Sequence, residues 1–149
     1  MRKRPLNSFK CVFPARSANE SFARMTASAF VSQLDPRAGE LADMKTAVSE
    51  AVTNVIVHAY SDGSFPPEQR LIFLSGELYE GRKTVITVKD RGKGIENVEK
   101  AMEPLFTTSP AEERSGMGFT VMETFTDSVK VRSKPGKGTA VRLYKRFSE

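Results

Sequence analysis

The chain has 149 residues, 39% hydrophobic and 28% charged, a balance that fits one globular core of ordinary size. It carries 23 basic against 18 acidic residues, a net charge of +5, with its cations scattered apart from small clusters at Arg2–Arg4 and Lys130–Arg146. No zinc-ligand spacing, RNA-binding aromatic motif or apolar run of about 20 residues accompanies them, which argues against the familiar nucleic-acid modules and a membrane-spanning helix.

The basic start, Met1-Arg2-Lys3-Arg4-Pro5, is not followed by a signal-peptide apolar core, and the single cysteine, Cys11, has no partner within the chain. Both fit a reducing, cytoplasmic setting. Phe9, Cys11 and Phe13 alternate as a short opening strand that Pro14 ends. Ser17-Ala18-Asn19-Glu20 has the spacing of a capping box. Phe22, Met25, Ala29 and Val31 to Leu34 then supply the apolar face of a helix stopped by Asp35-Pro36, and Met25, Met44 and Met122 read as core. Glu20 and Arg24, four apart, are placed to pair on its surface. A second helix is expected from near Gly39 to Ala59, because Leu41, Met44, Val48, Val52, Val55 and Ala59 recur at three- and four-residue spacing.

Loop punctuation fills Ser61 to Pro67. Two β-rich runs follow, Arg70 to Leu78 and Lys83 to Lys89, as a hairpin. A short helix is expected over Ile95 to Met102, a lid-like loop over Glu103 to Ser115, and a helix from near Gly116 to Phe125. Strands Ser128 to Ser133 and Thr139 to Tyr144 flank the turn Pro135-Gly136-Lys137-Gly138. The order predicts an α+β fold in one domain over residues 1–149: a two-layer α/β sandwich, with helices on one face of a mixed, mainly antiparallel sheet.

Candidate chemistry sits in four separated segments. Glu50 and Asn54 are one turn apart on the second helix, about 40° apart around it, so both project from one side. The Asn54 side-chain oxygen suits Mg²⁺, a hard cation that prefers oxygen, while the Glu50 carboxylate can take a proton from an attacking hydroxyl. A merely solvated helical face is the bland reading of the same pair. Asp90-Arg91-Gly92-Lys93-Gly94 follows an apolar strand: Asp90 can accept from an exocyclic amine such as adenine's, and Gly92 and Gly94 let a flat ring approach. An isolated D-x-G-x-G can equally be a plain glycine turn. Arg114-Ser115-Gly116-Met117-Gly118 enters a helix, where exposed amides and the helix dipole favour an anion such as a triphosphate; a hinge for a closing lid is compatible with this. Gly136-Lys137-Gly138-Thr139, alone, is a hairpin turn.

In this order the segments resemble the ATP-binding fold shared by gyrase, heat-shock-90 chaperones, histidine kinases and mismatch-repair proteins. The resemblance is closer to the bacterial anti-sigma-F serine kinases of sporulation. It is carried by Ala15 to Arg24, by Val48-Ser49-Glu50-Ala51-Val52-Thr53-Asn54, by Pro104-Leu105-Phe106-Thr107-Thr108, and by Glu113 to Phe119, and it covers about Phe9 to Tyr144. The basic Met1–Arg4 extension and the Ser61–Arg70 loop look unlike that family.

The resemblance implies an ATP- and Mg²⁺-dependent serine kinase that phosphorylates an anti-anti-sigma factor. In its nucleotide-bound form it would also bind and inhibit a sporulation sigma factor. Glu50 would be the base and Asn54 the Mg²⁺ ligand. Asp90, Gly92 and Gly94 would form the adenine pocket, with Thr139 supporting that end. Gly116 and Gly118 would hold phosphates, with Arg114 and Ser115 adding charge and a hydroxyl donor. A homodimer is expected, without nucleic-acid or membrane partners, and Arg24 is a candidate docking residue. The alternative is a non-catalytic, nucleotide-gated sigma-binding protein, against which Glu50 argues, since a purely binding site has no evident need for a base beside Asn54.

Overall fold

The computed structural model describes residues 3–103 and 118–149. In chain order they form β1 (Asn7–Pro14), α1 (Ala18–Val31), α2 (Ala38–Asn54), β2 (Leu71–Tyr79), β3 (Lys83–Asp90), α3 (Val98–Met102), α4 (Phe119–Phe125), β4 (Ser128–Lys134) and β5 (Gly138–Arg146). The strands make one sheet in the order β1-β2-β3-β5-β4. Within the mainly antiparallel class expected, every pairing between these strands is antiparallel.

Strand alternation puts Ile72, Leu74 and Leu78 of β2, Ile86 and Val88 of β3, and Val141 and Leu143 of β5 on the buried face. Onto that face α2 lowers Met44, Ala47, Val48, Ala51 and Val52, all fully buried at helical spacing. Helices on one side of an antiparallel sheet make the two-layer α+β sandwich that the element order predicts. Insertion of β5 between β3 and β4 brings the end of β3 beside the start of β5, with Lys89 opposite Ala140. Among the described residues no helix is long and apolar enough to cross a membrane.

Several local expectations are corrected. Ser17 itself has helical angles, φ −55° and ψ −33°, and makes no side-chain cap bond, so the capping box does not form. The Glu20 carboxylate accepts instead from Arg24 at 2.9 Å, the surface pairing that the spacing allows. The buried side of α1 is Ala23, Ala27, Phe30 and Val31, whereas Phe22 and Met25 are 50% and 58% exposed and Ala29 is exposed. Phe30 packs edge-on against Phe9 of β1, with ring centroids 4.6 Å apart, while the half-exposed Phe22 lies edge-on to Phe13 at 5.4 Å. Met25 therefore does not join Met44 and Met122 in the core. The regular part of α1 ends at Val31 and a 3₁₀ turn, Ser32–Leu34, completes it. The second helix is α-helical only to Asn54, and Val55–Ala59 continue it as a π-helical turn.

Candidate functional site

Asp90 ends β3 on the helix-facing side and is 4% exposed. Its Oδ1 accepts from the backbone amides of Gly92, at 2.8 Å, and Thr139, at 3.3 Å. Burial pushes the carboxyl above the usual carboxylate range, and these two amide bonds offset part of that. One side-chain oxygen thus joins the D-x-G-x-G loop to the first residues of β5.

The loop is held from both sides by backbone. Lys93 donates its amide to the Ala59 carbonyl at 2.8 Å, and a β-carbon on Gly92 would run into that same carbonyl. Gly94 has φ +77°, and a β-carbon there would strike the Lys134 carbonyl, while Gly136 donates to the Lys93 carbonyl at 2.7 Å. These glycines are required by protein packing, so a ligand is not needed to explain them. Tyr60 adds a third tie: its hydroxyl donates to the Leu71 carbonyl at 2.6 Å and accepts from the Arg91 amide at 3.0 Å.

Asn54, Asp90, Gly94 and Thr139 line one cleft, whose apolar walls come from Ala51, Val55, Ile95, Phe119 and Val141. A buried acceptor in a cleft with apolar walls can hold a planar ring carrying an exocyclic amine. Asn54 is the last α-helical residue before the π turn, a local change of pitch of the kind that often marks functional sites. Glu50 lies one turn earlier, half-buried between α2 and the start of α4. A β-carbon on Gly118 would overlap the Glu50 carboxylate, so the two are in direct apposition. Burial, and then the negative charge of Glu20, raise the Glu50 carboxyl above its ordinary value.

The structure therefore gathers Glu50, Asn54, Asp90, Gly92, Gly94, Gly118 and Thr139, which lie far apart in sequence, around one cleft and its rim. Arg114, Ser115 and Gly116, with all of the expected lid but Glu103, lie outside the described residues. Ser133, which the sequence does not single out, also builds the site. Ser133 Oγ accepts from the Ile95 amide at 2.7 Å and lies 2.8 Å from the Thr139 hydroxyl, bracing the cleft wall. His58 and Lys93 contribute to the lining. No spacing marks Ser133, because a serine in a strand is ordinary. The π turn is equally silent, because Val52, Val55 and Ala59 keep helical spacing through it.

The fold and the sequence have known counterparts. Residues 13–145 match the model of a histidine kinase-like ATPase domain. The anti-sigma F factor of Clostridium kluyveri is 51% identical over 142 residues, covering 95% of this chain and 96% of the relative. That of Caldanaerobacter subterraneus subsp. tengcongensis is 55% identical over 139 residues, 93% of each chain. The solved RsbU and RsbW domains of Rv1364c from Mycobacterium tuberculosis share the fold, with a TM-score of 0.68 at 17% identity over 97% of this chain and 33% of that one. The chain thus belongs to the anti-sigma F factor family and is built on a histidine kinase-like ATPase domain.

Proposed function

We propose that the chain, as one domain over residues 1–149, is an ATP- and Mg²⁺-dependent protein serine kinase. It phosphorylates an anti-anti-sigma factor and, when loaded with nucleotide, binds and inhibits a sporulation sigma factor. The name borne by relatives about half identical over nearly the whole chain supports the sigma-factor partner. The observation that carries the kinase reading is Glu50: a half-buried carboxylate with a raised pKa, one helical turn from Asn54 at the rim of a cleft walled by Asp90. The protein works in the cytoplasm as a homodimer, and neither nucleic acid nor a membrane takes part.

Bound Mg·ATP supplies the γ-phosphoryl group and neutralises charge across the phosphates. Asp90 accepts from the adenine amine, the apolar cleft walls hold the ring, and Thr139 steadies Asp90 from β5. Asn54 would hold the metal through its side-chain oxygen. Arg114, Ser115, Gly116 and Gly118 would hold the phosphates, the first two by charge and a hydroxyl donor and the glycines by their amides. Glu50 takes the proton of the substrate serine as the serine oxygen bonds to the γ-phosphorus. The bond from that phosphorus to the bridging oxygen breaks, and its electron pair leaves with ADP.

Glu50→Gln tests this reading. Loss of a general base costs about 10²–10⁴ in rate. The variant is expected to bind Mg·ATP and sigma factor as the parent does, yet to phosphorylate the antagonist at least about a hundredfold more slowly. Single-turnover rates within a few-fold of the parent would reject Glu50 as the base.

A further inference from the structure

The cluster Lys130–Arg146 is left over from the nucleotide site. The β4–β5 hairpin holds seven cations and no acid, more than the net charge of the whole chain. Strand alternation turns most of them to the sheet face opposite the helices. There Lys130 stands directly across from Arg142, and Lys83 directly across from Arg146. Like charges in register destabilise a strand pair, and the Tyr144 ring, 5.4 Å from Lys130 and 5.5 Å from Arg142, offsets only part of that cost at one of the two pairs. Lysines on an edge strand protect against sheet-to-sheet association, which accounts for β4. It does not account for Lys89 and Arg142, since β3 and β5 are interior strands. Glu77 is the one outward acid in the five strands, and it pairs with Arg142 at 3.7 Å.

We propose that this outer sheet face is a docking surface for an acidic amphipathic segment of a partner protein. Cations and apolar side chains run in one row across the sheet: Arg132, past Ala140, to Lys89, then Phe73 and Val12. Val12 is 55% exposed. A segment with carboxylates along one side and apolar residues along the other complements both halves of that row. A phosphodiester backbone would leave Phe73 and Val12 without apolar contact. Base stacking is disfavoured too: Arg91 already lies 4.6 Å from the Phe73 centroid, which leaves Val12 as the exposed apolar end of the row, and Lys130 and Arg142 lie 5.4 and 5.5 Å from that of Tyr144. A second copy of this chain would present the same cations and be repelled. The surface lies across the sheet from the cleft, so its occupancy does not depend on the nucleotide reading.

The test uses the full chain and a labelled helical peptide with glutamates on one face and leucines on the other. Binding is followed by fluorescence anisotropy at roughly 50 and 300 mM salt. The double variant Lys130→Glu/Arg132→Glu is expected to weaken binding on the order of tenfold at low salt. The double variant Arg16→Glu/Lys45→Glu makes the same charge change in the link before α1 and on α2, and is expected to leave binding unchanged. Lys130→Glu also places opposite charges across from each other, so an unchanged or raised melting temperature will confirm that the variant is folded. Equal weakening by both double variants would overturn the surface, since net charge alone would then explain binding. So would absence of peptide binding at low salt, or tighter binding of a DNA duplex of matched charge.

Discussion

The Glu50 carboxylate lies against Gly118, so close that a β-carbon on the glycine would overlap it. Gly118 has φ +61°, and it opens the turn into α4 with its carbonyl accepting from Met122 at 3.0 Å. The carboxylate and the segment that follows residues 104–117 are therefore joined through a position that tolerates no side chain.

Gly118→Ala is expected to lose about 1–2 kcal/mol of stability from the left-handed backbone. It should also displace Glu50. Denaturant unfolding reads the first effect, and single-turnover phosphorylation, falling by more than the stability loss explains, reads the second.

If Glu50 is the base, the pH dependence of phosphoryl transfer should carry the imprint of Glu20. Glu50 is raised by burial and, after that, by the Glu20 charge. A base with a raised pKa loses its ionised form at higher pH than an ordinary glutamate, so the acid limb of the rate profile sits high. Glu20→Gln removes a negative neighbour and releases Arg24 from its 2.9 Å pairing, and both changes favour the ionised carboxylate. The acid limb should move to lower pH. A limb that stays in place or moves upward counts against this coupling.

Asp90→Asn separates binding from stability. The amide oxygen of asparagine can still accept from Gly92 and Thr139, since both bonds go to Oδ1. The raised folded-state pKa means that Asp90 costs stability as pH climbs above the ordinary carboxylate value, where the unfolded chain ionises first. The ligand-free variant should thus melt no lower than the parent at neutral pH, with any advantage vanishing in acid. Its ATP affinity should fall by about 10–100-fold, the scale of a hydrogen bond to a charged acceptor. Calorimetry and thermal melts together check both halves.

Asn54→Ala addresses the metal. The helix survives, because alanine is the better helix former, while the side-chain oxygen is lost. ATP binding should lose most of its Mg²⁺ dependence in titrations with and without the metal. A folded variant with parental Mg·ATP affinity would remove Asn54 from the metal shell.

Much of this protein is determined by short-range pattern in the sequence. The α2 stripe from Met44 to Val52, the alternation in β2 and β3, and the Gly136–Lys137 turn each follow from local periodicity or turn chemistry. Glu50 and Asn54 share a side for the same local reason, the helical repeat. Tertiary structure decided the rest. Phe30 rather than Phe22 faces inward, because the docking of α1 on β1 selects one of two apolar sides. The capping box gave way to a helical Ser17 and a Glu20–Arg24 pair, since the competing bonds differ little in free energy. The meeting of Asp90 with Thr139, 49 residues onward, required β5 to insert beside β3, which no local spacing encodes. The outer-face cations likewise became one surface only when strand pairing set Lys130 against Arg142 and Lys83 against Arg146. Periodicity reports which sides of an element are apolar, whereas packing, strand order and register decide which of them are buried and which residues meet.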